Sequence, residues 1–273
     1  MPVDVKDRSA LARLSLDGLS VGDGFGQKFF FPWIVESATN DNLPESPWHY
    51  TDDTEMAMAV IQNLEAHGHI DQDSLAKTFA KRFVDEPNRG YGAGAQELLW
   101  KIADGEHWSK ASRELFNGSG SYGNGAAMRA APIGAWFHDD IDATIENAKR
   151  SAEVTHSHLE GIAGAIAVAL SAAWVVRWTA GGKKDSPPEM LSWIADRLPE
   201  SQVASSVRQV ATRPLDGWVF DIAREFGCGD LVTAQDTVAF SLWAAAANLN
   251  DYCESLWTIA RVGGDVDLSL IHI

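Results

Sequence analysis

Four consecutive polar residues, Thr51 to Thr54 (TDDT), stand immediately before a stretch whose apolar residues recur at helical spacing. One interpretation is structural: a threonine or aspartate caps the helix, and the acids complement the positive end of the helix dipole. The other is chemical, because the adjacent carboxylates of Asp52 and Asp53 can diverge toward two cations while the Thr51 hydroxyl adds a neutral oxygen. The motif alone leaves both interpretations open.

A second acidic motif, Asp265-Val266-Asp267, follows Gly263-Gly264 directly after another predicted helix. Its spacing in an extended loop lets both carboxylates face one or two cations, although the same pattern also suits an ordinary surface turn. Four carboxylates gathered in one place repel one another unless cations neutralise them. We therefore expect the two acidic motifs to converge on divalent cations.

A glycine-rich segment, residues 117–129 (NGSGSYGNGAAMR), leads into a helix predicted to begin at about Ala126. The backbone N–H groups of such a turn, together with a helix N-terminus, suit a phosphate or a diphosphate. The pattern is neither the dinucleotide-binding fingerprint nor a Walker loop. A flexible glycine turn is the alternative interpretation.

Two histidines lie in the segment Thr155-His156-Ser157-His158, just before an apolar helix. No cysteine or third histidine is nearby in the sequence, which argues against zinc. Thr155 or Ser157 is expected to cap the helix, with Glu160 completing a capping box. A histidine at this place could also form a hydrogen bond with a ligand hydroxyl.

The elements that must position these residues are predicted to be helices, because apolar residues recur at i, i+3 and i+4 and strand-like alternation is nearly absent. An uncharged run, residues 161–176, is shorter than the roughly 20 residues of a membrane span and is predicted to be a buried central helix. Glycine clusters at residues 18–26, 90–94, 118–125 and 263–264 are expected to form loops around one site. We predict one all-α domain of about ten helices over residues 1–273. The other predicted helices span residues 55–67, 73–84, 95–103, 141–154, 189–198, 202–211, 218–226, 234–249 and 252–262.

The composition narrows the function classes. The 273 residues include 38 acidic and 22 basic side chains, which give a net charge of −16. Such a surface repels nucleic acids and anionic membranes, so neither is an expected partner. Cys228 and Cys253 are the only cysteines. Two cysteines in a chain of this length do not form a disulfide framework, which favours a cytoplasmic protein.

Taken together, the motifs resemble those of the ADP-ribosylglycohydrolase family. The resemblance rests on LDGLSVGDGFG (16–26), TDDT (51–54), YGNGAAMRAAPIG (122–134), THSHLEGIAGA (155–165) and GGDVD (263–267), which occur in this order over nearly the whole chain. It implies an all-α fold with a centre of two divalent cations, Mg²⁺ or Mn²⁺. It also implies a hydrolase that removes ADP-ribose from a protein side chain, arginine being one candidate, or from a related conjugate. The chain is expected to act as a monomer.

The resemblance also implies roles for particular residues. Gly123, Asn124 and Gly125 match the turn that cradles the diphosphate and ribose, and His156 matches a histidine that contacts the bound ADP-ribose. Asp52, Asp53 and Asp265 are the expected catalytic carboxylates, one of them acting as a base toward water. The expected metal ligands are Thr51, Asp52, Asp53, Asp265 and Asp267.

Three departures from the family pattern keep two further functions open. The family's glutamate after the GDxxG turn is missing from GQKFFF, where the next acid is Glu36, and Val266 and Leu268 replace threonines of the second acidic motif. The family continues into a further helix after this motif, so the chain is expected to be truncated or atypical at its C-terminus. The alternatives are an ADP-ribose-binding protein with impaired chemistry and a structural or interaction protein that keeps only the fold.

Overall fold

Helices build the fold in the part of the chain that the structure describes. The computed structural model describes residues 7–29, 43–183 and 186–265. These ranges contain thirteen α-helices, two short 3-10 turns and one isolated β-bridge between Gly123 and Thr233. The predicted all-α class is confirmed. The α-helices are α1 (Arg8–Gly26), α2 (Asp52–His67), α3 (Gln72–Asp85), α4 (Ala93–Ala103), α5 (Trp108–Gly118), α6 (Ala131–Trp136), α7 (Ile141–Glu153), α8 (Leu159–Ala180), α9 (Pro187–Ala195), α10 (Gln202–Val210), α11 (Val219–Phe226), α12 (Ala234–Ala247) and α13 (Tyr252–Val262).

The long helix α8 forms the centre of the molecule and packs against α6, α7, α9, α10 and α12. Its small side chains allow close packing: a Cβ added to Gly134 of α6 would lie 1.8 Å from the carbonyl oxygen of Ala169 in α8. Among the described residues α8 is the one helix long and apolar enough to cross a membrane, yet 72% of its most apolar window is buried inside the protein. The predicted central helix is therefore confirmed, and it is longer than the uncharged run that predicted it.

The described residues form two apolar clusters in the interior. The larger one surrounds α8 and includes Leu170, Phe240 and Trp243. The smaller one gathers side chains mainly from α2 to α5. Helix α1 joins them, because its Leu19 belongs to the smaller cluster and its Phe25 to the larger one. Helices from both clusters end around one cavity, which contains the candidate site.

Residues 18–26, expected to be a loop, form the second half of α1 instead. The side chain of Asp7 caps this helix by accepting a hydrogen bond from the N–H of Ala10. Gly24 lies against Trp48, where an added Cβ would meet the Trp48 Cβ at 3.4 Å. The prediction was wrong because the burial of one helix face outweighs the low helix propensity of glycine.

The start of α8 is capped differently from the prediction. His158 is the N-cap, and its Nδ1 accepts the N–H of Glu160 at 3.2 Å. The Glu160 carboxylate points to α10, where it accepts the N–H groups of Gln202 and Val203 at 2.8 and 2.9 Å. The predicted capping box with Thr155 or Ser157 is wrong because the start of α10 offers Glu160 two donors that lack partners within their own helix.

Candidate active site

A cavity of about 1030 Å³ opens where helices of the two apolar clusters end. Its wall contains the start of α2, the glycine-rich turn before α6, the segment that leads into α8 and the end of α13. Asp267 lies outside the described residues. The predicted site residues within the described ranges all line this cavity: Thr51, Asp52, Asp53, Gly123, Asn124, Gly125, His156 and Asp265.

A buried aspartate that sequence reasoning did not single out holds the first acidic motif in place. Asp23, in α1, is completely buried. Its Oδ2 accepts hydrogen bonds from the N–H groups of Thr51 and Thr54 at 2.8 and 3.2 Å and from the Thr54 hydroxyl at 2.5 Å. Thr51 is itself the N-cap of α2, since its hydroxyl accepts the N–H of Asp53 at 3.3 Å. The cap predicted from TDDT is confirmed. Asp52 and Asp53, in this first turn, line the cavity.

The second acidic motif meets the glycine-rich turn through Asn124. The Asn124 side-chain amide donates to Asp265 Oδ2 at 2.7 Å and to the Thr237 hydroxyl at 3.1 Å. The backbone N–H of Asp265 donates to the carbonyl of Cys228 at 3.1 Å. Asn124 is therefore an anchor for Asp265 in addition to its predicted role toward a ligand.

The two acidic motifs share one cavity rather than opposite faces of the molecule. Its described lining includes four carboxylates, those of Asp52, Asp53, Asp230 and Asp265, and the guanidinium of Arg129. Within the described residues, no three His, Cys, Asp or Glu side chains lie close enough together to hold a metal ion. The convergence of the motifs on cations therefore stays a prediction, and its fourth predicted carboxylate, Asp267, belongs to the part of the chain that is not described.

The glycine-rich turn is a short 3-10 turn, Asn124–Ala126, and the next helix begins only at Ala131. The helix predicted to begin at about Ala126 is wrong, because the chain turns here to pack Ala126 and Ala127 into the core. The N–H groups of Gly123 and Asn124 donate to the Ser121 hydroxyl and the Val232 carbonyl at 3.2 and 3.3 Å.

Glycine in this turn leaves room for His156, which the spacing of the motif did not show. A Cβ on Gly125 would lie 3.1 Å from His156 Cε1, and one on Gly123 would lie 3.3 Å from His156 Nε2. These contacts are tighter than ordinary van der Waals separations, so the missing side chains let the imidazole lie directly against the turn. The ring's Nε2 edge is thereby held at the cavity wall.

Arg129 lies completely buried behind the turn. Its guanidinium stacks on Phe79, 4.7 Å from the ring centroid. Burial lowers the pKa of Arg129 to about 9, against an opposing effect of Asp52, so the group remains a cation at neutral pH. Burial, and to a smaller extent the Arg129 charge, lowers the pKa of His156 to about 3. The imidazole is therefore neutral at physiological pH.

Two exposed aromatic rings stand at the rim of the cavity. Phe116 and Tyr122 are 55% and 42% exposed, and their ring centroids lie 6.3 Å apart. Phe116 and Asn117 have φ angles of 52° and 60°, where helix α5 loses its regular geometry. Such backbone strain persists only where the surroundings enforce it, and it is frequent at ligand sites. A Cβ on Gly94 would lie 3.2 Å from Phe116 Cζ, so this glycine leaves room for the ring.

The chain is similar to known proteins of one family over most of its length. The model of a family described as ADP-ribosylglycohydrolase matches residues 1–269. ADP-ribosylhydrolase ARH3 of Xenopus tropicalis is 33% identical over 211 residues, which are 73% of this chain and 58% of that protein. ARH3 of Gallus gallus is 43% identical over 124 residues, 45% of this chain and 34% of that protein. The matched regions are thus less than two thirds of these curated relatives.

Two further matches extend over most of the chain. An uncharacterized protein of Archaeoglobus fulgidus is 27% identical over 271 residues, 92% of this chain and 81% of its own length. A solved structure titled ADP-ribosylglycohydrolase-related protein complex superposes with a TM-score of 0.66 at 22% identity, over 98% of this chain and 86% of the other. At that identity the superposition supports the fold alone.

Proposed function

The chain belongs to the ADP-ribosylglycohydrolase family, and from this premise we propose that it hydrolyses the bond between ADP-ribose and a protein side chain, arginine being one candidate, or a smaller leaving group. The bond is N- or O-glycosidic. The observation that carries the proposal is one cavity that gathers carboxylates from both acidic motifs beside the glycine-rich turn and His156. Carboxylates beside a glycosidic bond can stabilise an oxocarbenium-like transition state and activate water.

The cavity offers partners for each part of ADP-ribose. The exposed faces of Phe116 and Tyr122 suit stacking of a flat base. His156 offers a polar contact to the ribose or the diphosphate. The N–H groups of Gly123 and Asn124 already bind within the protein, so the contribution of the turn is a surface of small residues that lets the ligand approach closely. The described part of the cavity lining carries four carboxylates and one guanidinium, that of Arg129, so a diphosphate would add negative charge to an acidic cavity wall. This excess of negative charge supports a requirement for bound cations.

We include two divalent cations, Mg²⁺ or Mn²⁺, in the proposed function. Thr51, Asp52, Asp53 and Asp265 offer the hard oxygen donors that these ions prefer. Asp267 completes the proposed ligand set. When bound, the ions would polarise a water molecule and the hydroxyls of the substrate ribose.

Asp52, Asp53 and Asp265 are the proposed catalytic carboxylates. One of them takes a proton from the water that attacks the anomeric carbon, while the others stabilise the positive charge that develops on the sugar. The bond to the leaving nitrogen or oxygen breaks, the leaving group takes up a proton from solvent water, and the carboxylate returns the proton it accepted to solvent. Asp23 and Asn124 act indirectly, because they fix the first turn of α2 and the Asp265 carboxylate.

The biological setting is part of the proposal. We propose an ADP-ribosylated protein or a small ADP-ribosyl conjugate as the partner, and neither nucleic acid nor membrane. Cys228 and Cys253 are free cysteines, which is consistent with a cytoplasmic location. The chain is proposed to act as a monomer.

The decisive experiment follows release of ADP-ribose from an arginine-linked ADP-ribosyl protein and from an O-linked conjugate. Each substrate is incubated with the full chain in Mg²⁺, in Mn²⁺ and in a chelator. We expect release with the metals, none above background with the chelator, and a loss of at least about 100-fold in Asp53→Asn and Asp265→Asn. Asp104→Asn, at the exposed end of α4, is the matched control and should retain full activity.

Calorimetry with ADP-ribose separates the alternatives. Binding without turnover of either substrate would make the chain an ADP-ribose-binding protein with impaired chemistry. Neither binding nor turnover would leave a structural or interaction protein that keeps only the fold. Turnover that is unaffected by Asp53→Asn and Asp265→Asn would reject the proposed catalytic carboxylates.

A further inference from the structure

A series of hydrogen bonds connects the buried guanidinium of Arg129 to the ring of His156. Arg129 Nη2 donates to the Thr155 hydroxyl at 2.8 Å and to the Ser151 carbonyl at 2.8 Å, and Nη1 donates to the Gly125 carbonyl at 2.9 Å. The Thr155 hydroxyl lies 2.7 Å from His156 Nδ1. Thr155 is buried, so this hydroxyl depends on protein partners.

The number of protons available in this series of hydrogen bonds selects one tautomer of the His156 imidazole. A guanidinium has donors and no acceptor, so the Thr155 oxygen must accept from Arg129. The single hydroxyl proton is then available for His156 Nδ1, which accepts it. The opposite arrangement would place two donors on the Thr155 oxygen and leave its own proton without an acceptor among the described contacts, which is unfavourable for a buried group.

The ring is neutral, as its lowered pKa requires, and therefore carries one proton. If Nδ1 accepts, that proton resides on Nε2. Nε2 is the edge that lies against the glycine-rich turn, 3.3 Å from the places that Cβ atoms on Gly123 and Gly125 would occupy. His156, which lines the cavity, thus presents an N–H group beside the glycine-rich turn.

We propose that Arg129 is a positioning residue that acts through Thr155 to hold His156 as an Nε2–H donor, so that this side of the cavity recognises a ligand oxygen that accepts a hydrogen bond. The identity of that oxygen, a diphosphate or ribose oxygen of ADP-ribose, rests on the proposed function. The tautomer of His156 in the ligand-free protein is independent of the proposed function.

The first test reads the tautomer directly by long-range ¹H–¹⁵N NMR of the ¹⁵N-labelled full chain. The signals of His156 are identified among the eight histidines by their loss in His156→Gln. We expect a single Nε2–H tautomer in the unsubstituted protein. Thr155→Val keeps the shape of the side chain but removes the hydroxyl, and it should give a mixture of both tautomers. Thr155→Ser should restore the single form.

Two further variants separate positioning from general damage. Thr144→Val removes another buried hydroxyl, which donates to the Phe137 carbonyl, and should leave the His156 signals unchanged. Arg129→Met removes every donor at this position, and the folded variant should show a mixture of both tautomers, as Thr155→Val does. A single Nε2–H tautomer in folded Arg129→Met or in Thr155→Val would overturn the proposal, and Thr155→Val decides if Arg129→Met does not fold.

Calorimetry then tests the ligand. We expect ADP-ribose affinity to fall about tenfold in Thr155→Val and to stay within about twofold of the original in Thr155→Ser and Thr144→Val. An Nδ1–H or charged ring in the unsubstituted protein would overturn the proposal whatever the affinity. A single Nε2–H tautomer without any ADP-ribose binding would instead reject the proposed function and leave the positioning by Arg129 supported.

Discussion

At the scale of single residues, the site depends on side chains whose main contacts are with other site residues. Asn124 shows this: its amide binds Asp265, which is 141 positions away in the sequence. The glycine-rich turn identified Asn124 as a candidate, but its local pattern contains no information about so distant a partner. Asp23 likewise lies in a glycine-rich motif that the sequence analysis noted. Its three hydrogen bonds to the start of α2 could not be predicted from that motif and are seen only in the structure.

His156 should make the protein sensitive to acid. The unfolded chain takes up a proton on this ring near pH 6.5, the ordinary value, whereas the folded protein does so only near pH 3 because burial disfavours the charged form. Below about pH 6.5 the unfolded state therefore binds more protons, so stability is complete above this value and falls as the pH drops toward 3. The slope contributed by His156 is at most about 1.4 kcal/mol per pH unit.

This prediction is checked by urea unfolding between pH 4 and 8 with His156→Asn as the partner variant. The Asn side-chain oxygen can accept a hydrogen bond from the Thr155 hydroxyl, as Nδ1 of His156 does, but the Asn side chain does not titrate in this pH range. We expect the free energy of unfolding of the original protein to fall more steeply below pH 6.5 than that of the variant. Parallel curves for the two proteins would show that His156 is readily protonated in the folded state.

At the scale of helices, the apolar periodicity predicted most of the elements, α8 in particular, but it missed α1 and α5, and the glycine-rich segment predicted the start of α6 about five residues too early. Helix α1 contains the glycines of residues 18–26 and α6 contains Gly134, and glycine has low helix propensity, whereas Pro132 stands in the first turn of α6, where proline is compatible with a helix. Their helical state follows from packing, since α6 lies in backbone contact with α8 at Gly134. Such contacts join segments distant in sequence, which local propensity does not report.

Two helical glycines should therefore respond to alanine in opposite directions. Gly134→Ala would drive a Cβ into the Ala169 carbonyl, so we expect it to lower the free energy of unfolding by at least about 2 kcal/mol. Among the described residues, none has an atom within 4 Å of a Cβ added to Gly18 in α1. Gly18→Ala should raise stability by about 0.5–1 kcal/mol, because alanine loses less backbone entropy in a helix.

Chemical unfolding of both glycine variants measures the two effects under the same conditions. A small or absent cost for Gly134→Ala would mean that α6 and α8 can separate without loss of core packing. Destabilisation by Gly18→Ala would mean that a Cβ added at residue 18 does not lie in open space.

At the scale of the whole molecule, the candidate site lies between two apolar clusters. Asp52 and Asp53 start α2, which belongs mainly to the smaller cluster, and Asp265 follows α13, which packs in the larger one. The sequence motifs identified residues that line one cavity, because acids and glycines at helix ends are chemically conspicuous. The partners that support them, such as Arg129 and Asp23, are buried residues whose roles depend on the complete fold.

This arrangement predicts that bound divalent cations stabilise the entire chain. A ligand that binds only the folded state at 100 times its dissociation constant adds about 2.7 kcal/mol, which raises the melting temperature of a protein of this size by about 5 °C. We expect such a rise with Mg²⁺ or Mn²⁺ and not with NaCl of equal ionic strength. Asp104→Asn should behave like the original protein.

Asp53→Asn and Asp265→Asn give the sharper form of the same prediction. Without metal, each substitution removes one charge from an acid-lined cavity and should raise the melting temperature slightly, since like charges there repel one another. With Mg²⁺ the order should reverse, because the original protein gains the full stabilisation and the variants lose a ligand. Differential scanning calorimetry with and without Mg²⁺ measures this crossover. Equal metal-induced shifts in the original protein and both variants would show that the cations stabilise the chain from somewhere other than this cavity.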